Sequence, residues 1–534
     1  MDLRAAYKRR RKSFIHRHRI GISFRHQVTF VVWAGAAFLV ALAAFLVALA
    51  VLVRWFVDGF DPLLTVLLGM SIVATVLSLT RPAAPPHAHD LAGVPDEPCG
   101  AEPVDLGPWV IAARWAGAAA LLVFAIGLPA WVVLAALAVV AVVSGRVIAY
   151  RVWVWRRTKL IARALRAHGP RFAIAYAGYG GGPTHLSMWE GPLLSSGHPG
   201  VVFNFRDEYC AYLRENTDLS SPFVQLSSDA IRDLFHLIVP GLGAFFYVHN
   251  AMSNLRYMAM PQVKHIWLGH GDSDKPASFF KRHAQYDLLV ASGIAAIDRY
   301  ADAGVRIPRE KFVVLGRPQV HEIESAEAEI VSVERPVVLY APTWQGKNDK
   351  VDFSSLAVGA DIVRTLAGRA DIMFRPHPLS SRHAKFKPLV EAIDALLAAD
   401  TADPSTRGKH LWGEKPNQTW SIFECMNRSD ALVSDVSSVV SDWLQSGKPY
   451  AMVSTRWDEA GFREKFPVAR AGYVLLGDLS NASALLDDML GGDSLRDERM
   501  AMRTRVLGGF DNNESAEAFA AYFHEMFSRF GAKT

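Results

Sequence analysis

Four stretches of the 534-residue chain carry side chains able to handle an anionic substrate, and each follows a short apolar run. In Lys264-His-Ile-Trp-Leu-Gly-His270-Gly-Asp-Ser-Asp-Lys275 a strand runs into a glycine-flanked loop with one imidazole, two carboxylates and a lysine. An imidazole titrates near pH ~6.5, which suits His270 to general-base work. The same loop also reads as a backbone-bonded histidine, or as a metal set of His270, Asp272 and Asp274 that lacks a second histidine at ligand spacing. In Tyr340-Ala-Pro-Thr343-Trp-Gln, Thr343 could donate to a phosphate oxygen, or simply sit in a strand-end turn. In Phe374-Arg375-Pro-His377-Pro, a guanidinium and an imidazole are held between prolines, an arrangement that suits stabilising anionic charge. In Val433-Ser434-Asp435-Val-Ser437-Ser438, hydroxyls and a carboxylate stand at a helix start, where anions can bind; simple N-capping accounts for only one of the serines. A weaker signal is Gly178-Tyr-Gly180-Gly181-Gly182-Pro183. It is a glycine loop after a strand, either a tight turn or a diphosphate cradle, and not a dinucleotide fingerprint because Pro183 falls where the third glycine belongs.

The elements positioning these residues follow from the apolar pattern. Strand-like runs are Phe172–Ala177, Gly200–Phe203, Ala244–Val248, His265–Leu268, Asp287–Val290, Phe312–Leu315, Pro336–Tyr340, Ile372–Phe374, Ala431–Val433, Tyr450–Val453 and Tyr473–Leu475. Helical periodicity marks Ser228–Ile238, Ile294–Ala303, Phe353–Ala367, Lys385–Ala399, Ser438–Ser446 and Glu514–Phe530. Such alternation predicts α/β architecture with parallel sheets. Residues 171–534 exceed one doubly wound domain, and Glu322–Arg335 reads as a linker. Two Rossmann-like halves are therefore expected, residues 171–325 and 335–534 (the latter with a C-terminal helix), with a cleft between them. In open α/β sheets ligands bind beyond the carboxyl ends of strands, which is where all four stretches fall.

The first third is different. Val28–Val53 and Leu63–Leu79 are uncharged and apolar, and a further apolar region reads as two helices, Trp109–Ile126 and Ala130–Ser144. Of the net +5, residues 1–27 carry +8 and residues 146–171 another +8, so the rest of the chain is acidic at −11. Both basic clusters flank apolar runs, which argues against nucleic acid and for membrane lipid. The expectation is a basic tail (1–27), a transmembrane region of about four helices (28–146) and a basic interfacial linker (147–170). That makes a multi-pass cell-membrane protein with its catalytic body on the cytoplasmic side. Cys99, Cys210 and Cys425 are odd in number and far apart, suggesting neither a disulfide framework nor a zinc site.

Taken together and in order, the motifs resemble the CDP-glycerol glycerophosphotransferase family of teichoic-acid primases and polymerases. They are His270-Gly with Lys275, Tyr340-Ala-Pro-Thr343-Trp344, Arg375-Pro-His377-Pro, and Ser434-Asp435-x-Ser437-Ser438-Val439 with Asp442 and Lys448-Pro449. Gly316-Arg317-Pro318 resembles the family's Gly-x-Pro, and the likeness spans roughly residues 240–455. Gly269, Asp272 and Val436 depart from its usual pattern. The resemblance implies a GT-B-like pair of domains. It implies transfer of glycerol phosphate, or a related polyol phosphate, from a CDP-alcohol donor to a hydroxyl of a lipid-linked or glycan acceptor, with release of CMP. His270, Arg375 and His377 are the implied catalytic residues. Lys275, Thr343, Ser434, Asp435, Ser437, Ser438, Gly180 and Gly181 are the implied substrate-binding ones. No metal-ligating residues and no cofactor beyond the donor are expected, and the need for a divalent metal is left open. Two competing readings are a membrane-bound GT-B glycosyltransferase using a nucleotide sugar, and a non-catalytic binding subunit of an envelope polymer assembly.

Overall fold

The structure is a computed structural model; it describes residues 85–96, 99, 130–176, 182–205, 209–227, 230–269, 274, 276–326, 329–345, 352–406 and 408–530. The chain divides into two compact units, residues 1–85 with 102–157, and residues 86–101 with 158–534.

In the first unit the described structure is one helix, Ala130–His168, whose last part, from Thr158, belongs to the second unit. This corrects the reading of 28–146 as a transmembrane region. Among the described residues no helix is long and apolar enough to cross a membrane. Val28–Val53, Leu63–Leu79 and Trp109–Ile126 lie outside the described residues. The fourth expected span, Ala130–Ser144, does not end where a span should. It continues without a break into the stretch holding Arg146, Arg151, Arg156 and Arg157. The expected multi-pass localisation is overturned by the same finding. The end of this helix packs into the second unit: Ile161, Ala162 and Leu165 are buried in its core.

The second unit holds two sheets. The first is built from β1 (His87–His89), β2 (Phe172–Tyr176), β3 (Gly200–Asn204), β4 (Phe223–Gln225), β5 (Ala244–Tyr247), β6 (Lys264–Trp267), β7 (Leu288–Ala291) and β8 (Phe312–Val314), in the order β1-β4-β3-β2-β5-β6-β7-β8. All its neighbours are parallel except the edge strand β1, which runs antiparallel to β4 with His89 opposite Phe223. The second is built from β9 (Val337–Ala341), β10 (Asp371–Phe374), β11 (Ala431–Ser434), β12 (Tyr450–Ser454) and β13 (Tyr473–Leu476), all parallel, in the order β10-β9-β11-β12-β13.

Strand periodicity divides each sheet's residues between two cores. On β2, Phe172, Ile174 and Tyr176 enter one cluster and Ala173 and Ala175 the other. On β9, Val338 and Tyr340 face one side and Leu339 and Ala341 the other. Both faces are covered, so these strands read as continuous apolar runs rather than alternating ones. The last helix, Glu514–Phe530, packs on the first sheet: Phe519, Phe523 and Phe527 share one face four residues apart. Phe527 stacks on Phe172 at 5.3 Å between ring centroids, and Phe523 meets Phe246 edge-on at 5.1 Å.

Candidate active site

Three of the four chemistry-bearing stretches meet at the carboxyl ends of adjacent strands β10, β9 and β11. The Arg375 N–H donates to the Tyr340 carbonyl (3.0 Å) and the His377 N–H to the Pro342 carbonyl (3.2 Å), so the loop after β10 is laid along the loop after β9. From the other side, Asp435 is fully buried and its carboxylate accepts from the Thr343 N–H (2.7 Å) and the Ser355 N–H (3.1 Å). Ser434 Oγ donates to the Ala341 carbonyl at 2.7 Å. Asp435 and Ser434 thus lock the β9 loop onto β11 through backbone groups, each of which would otherwise be a buried polar atom in need of a partner.

On this frame sit the side chains that can meet an anion. Arg375 is partly buried; its Nη1 donates to the Trp420 carbonyl (2.9 Å) and reaches Cys425 Sγ (3.5 Å), which aims the planar guanidinium. Burial lowers its pKa from the ordinary arginine value, with Cys425 opposing. His377 Nδ1 accepts from the Leu379 N–H at 3.1 Å, capping the short helix Pro378–Arg382. In the neutral ring that bond leaves the proton on Nε2, a donor. Its ring lies 6.4 Å from that of Trp344. Ser437 caps the helix Ser438–Trp443, its Oγ accepting from the Val439 N–H at 3.3 Å, and Ser438 opens that helix. Thr343 is buried at the end of the β9 loop. Lys448 donates to the carbonyls of Met426, Asn427 and Ser429 and so closes the helix Ile422–Asn427.

In the first half, Gly180, Gly181, His270 and Lys275 lie outside the described residues. The backbone entering His270 is fixed nonetheless. Leu268 and Gly269 both donate to the Tyr247 carbonyl (3.0 and 3.2 Å), Trp189 Nε1 donates to the Gly269 carbonyl (2.7 Å), and Gly269 takes φ +75°, a left-handed value that favours glycine. Four residues past His270, the Asp274 side chain is 7% exposed. It accepts from Arg299 Nη1 (3.0 Å) in its own half and from the Val468 N–H (3.4 Å) in the other. Burial pushes its carboxyl up to about 6, against the Val468 hydrogen bond and Arg470. The loop after β6 is therefore anchored across to the second half.

Sequence reasoning did not single out Arg299, nor Arg317 as the buried partner of Asp442, another tie between the halves. Arg317 and Asp442 both stand in motifs, but a separation of 125 residues offers no pairing signal.

Beneath the β6 loop, His283 stacks on Trp267 at 4.1 Å, accepts from the Tyr300 hydroxyl at Nδ1 (2.6 Å) and donates from Nε2 to Asn250 Oδ1 (2.6 Å). It borders a cavity of about 280 Å³ lined by Met252, Leu255, Met258 and Phe280. Burial lowers the His283 pKa to about 4, so the fold selects the neutral ring. Its contribution is complete above the ordinary value of ~6.5 and is lost as pH falls from there through about 4. Urea midpoints measured from pH 7 to pH 4 should fall across that window, and His283→Gln should flatten the slope; an unchanged slope would refute the assignment.

Comparison with known proteins agrees with the motifs. Residues 243–466 match the family described as CDP-Glycerol:Poly(glycerophosphate) glycerophosphotransferase. No curated protein matches the chain. Among solved structures, a wall teichoic acid polymerase TagF aligns at 14% identity and TM-score 0.44, over 70% of this chain and 95% of that one. A putative UDP-N-acetylglucosamine 2-epimerase from Listeria monocytogenes aligns at 11% and 0.41, over 67% and 96%.

Proposed function

We propose, from the match of residues 243–466 to the family described as CDP-Glycerol:Poly(glycerophosphate) glycerophosphotransferase, that the chain is a phosphotransferase of that type. It moves glycerol phosphate, or a related polyol phosphate, from CDP-glycerol to a hydroxyl of a lipid-linked or glycan acceptor and releases CMP, in the synthesis of a teichoic-acid-like polymer. The observation carrying this reading is the convergence of Thr343, Arg375, His377, Ser437 and Ser438 at the ends of three adjacent strands, fixed there by backbone hydrogen bonds.

The acceptor oxygen attacks the phosphorus that bears the glycerol, and the bond from that phosphorus to the bridging oxygen of CMP breaks. His270 takes the hydroxyl proton. Arg375 and the Nε2–H of His377 offset negative charge on the transferring group and on CMP, while the Ser437 and Ser438 hydroxyls and Thr343 hold the diphosphate, with Lys275, Gly180 and Gly181 as further contacts. Ser434 and Asp435 hold the loops that present these groups. Phosphoryl transfer needs chiefly such positioning and charge stabilisation.

The test is CMP release by the full chain with a polyol-phosphate or lipid-linked acceptor, comparing CDP-glycerol, CDP-ribitol and UDP-sugars. Release from a CDP-alcohol alone is expected; turnover confined to UDP-sugars would sink the proposal. Within that assay Ser437→Ala should raise the donor KM several-fold with kcat little changed. It should also cost about 1 kcal/mol of stability through the lost helix cap. An unaltered KM would remove Ser437 from the donor site.

A further inference from the structure

Far from that site, at the β1 edge of the first sheet, three metal-ligating side chains come together from distant parts of the sequence. Among the described residues His89, Cys99 and Cys210 are the one group of this kind, their ligand atoms all within 4.8 Å of one another. Cys99 and Cys210 form a disulfide across 111 residues, which corrects the expectation that the odd number and wide spacing of the cysteines suit no disulfide framework. His89 lies on β1 and Cys210 opens the helix Cys210–Glu215; both are fully buried. The segment carrying His89 and Cys99 is held there independently of the sulfurs, by the β1–β4 pairing and by Arg214 reaching Asp90 at 3.4 Å.

The imidazole is what a disulfide alone does not explain. His89 Nε2 points at both sulfurs, 3.6 Å from Cys99 Sγ and 3.7 Å from Cys210 Sγ. Its other nitrogen, Nδ1, is buried without a hydrogen-bond partner, so no bond at Nδ1 orients the ring toward the sulfurs. In a tetrahedral site with Zn–S of about 2.3 Å and Zn–N of about 2.0 Å, each nitrogen–sulfur edge measures about 3.5 Å and the sulfur–sulfur edge about 3.8 Å. Both nitrogen–sulfur edges are already close to that length.

We propose that His89, Cys99 and Cys210 form a two-state site: a disulfide when oxidised, and, once a dithiol reductant has opened it, a site for one thiophilic divalent cation. In the reducing step two electrons pass to the Cys99–Cys210 bond, which becomes two thiols while the reductant's dithiol closes to a disulfide. The cation then displaces the two thiol protons and takes both thiolates and the Nε2 lone pair. Soft sulfur with one imidazole selects zinc-like ions over magnesium or calcium. The fourth position is left to water or to His87, which strand alternation puts on the same face of β1 as His89. In both states Cys99 stays fastened to the sheet edge.

The experiment uses the full chain, oxidised or reduced with a phosphine under argon, titrated with Co²⁺. Reduced protein should bind one Co²⁺ with a thiolate-to-cobalt band in the near ultraviolet and the visible bands of tetrahedral cobalt, displaced by Zn²⁺. Oxidised protein should bind none. Cys99→Ser should abolish the band, and His89→Ala should weaken binding by at least the roughly tenfold that losing even an outer-shell partner costs. Cys99→Ser serves where the more buried Cys210→Ser fails to fold. A reduced chain in which all three cysteines titrate as thiols but no band develops would overturn the proposal, as would a band that survives Cys99→Ser.

Discussion

His270→Ala is expected to lower CMP release by roughly 10²–10⁴-fold, the usual contribution of a positioned general base. The loss should fall on kcat, with the donor KM nearly unchanged, because the main groups assigned to the donor diphosphate, Thr343, Ser437 and Ser438, come from the second sheet. Two features make the position suitable. The chain reaches His270 through Gly269, whose carbonyl is held by Trp189 and whose N–H is held by Tyr247. It leaves the loop through Asp274, bound to Val468 of the second half. The base role is thus assigned to a residue that lies in sequence between two anchored positions, Gly269 and Asp274. The acid limb of the kcat profile, set by protonation of the imidazole, should disappear in the variant. Wild-type turnover by His270→Ala would end the base assignment and leave charge stabilisation by Arg375 and His377 as the main contribution.

Much of this arrangement was legible before the fold was known, for a specific reason. Strands covered on both faces read as unbroken apolar runs bounded by glycine, proline or charge, and all eleven stretches so identified are strands of the second unit. The misses had weaker signals. β1 and β4 are three residues each, and β1 is His-Ala-His. The helix Gly182–Leu194 contains Pro192, and Arg496–Leu507 is too charged to show an apolar stripe, although Arg499 and Arg503 are buried within it. The apolar N-terminal third was read from composition alone; among the described residues its helix Ala130–His168 runs straight into an arginine-rich stretch, and none is long and apolar enough to cross a membrane. At the site, residue types and order indicated which strand ends matter. They could not distinguish a hydroxyl facing a ligand from one tied to a carbonyl: Ser434 and Ser437 are three residues apart, yet one bonds to β9 and the other caps a helix. That distinction depends on which neighbouring loop lies within reach, a property of strand order rather than of local sequence.

The largest expected effect on stability belongs to the tie between Arg317 and Asp442. Both side chains are buried, 7% and 8% exposed, and Arg317 Nη2 donates to Asp442 Oδ2 at 3.3 Å with Nε on the other oxygen. Burial raises the Asp442 pKa and Arg317 opposes it. Arg317→Met strands that carboxylate and should cost about 3–5 kcal/mol, read from denaturant unfolding of the full chain. Asp442→Leu alone should cost a similar amount by stranding the guanidinium. The double variant replaces both charges with apolar groups of comparable bulk and should recover most of the loss, since a buried pair is worth little net of its desolvation. The pair also has a functional side. Arg317 precedes the turn Pro318–Glu322 leaving the first half, and Asp442 belongs to the six-residue helix that begins at Ser438. A single variant should therefore raise the donor KM as well as lower stability, and the double should restore stability more fully than KM, because only the native pair fixes the direction of that helix. Equal instability of single and double variants would show that bulk, not charge, holds the two halves at this point.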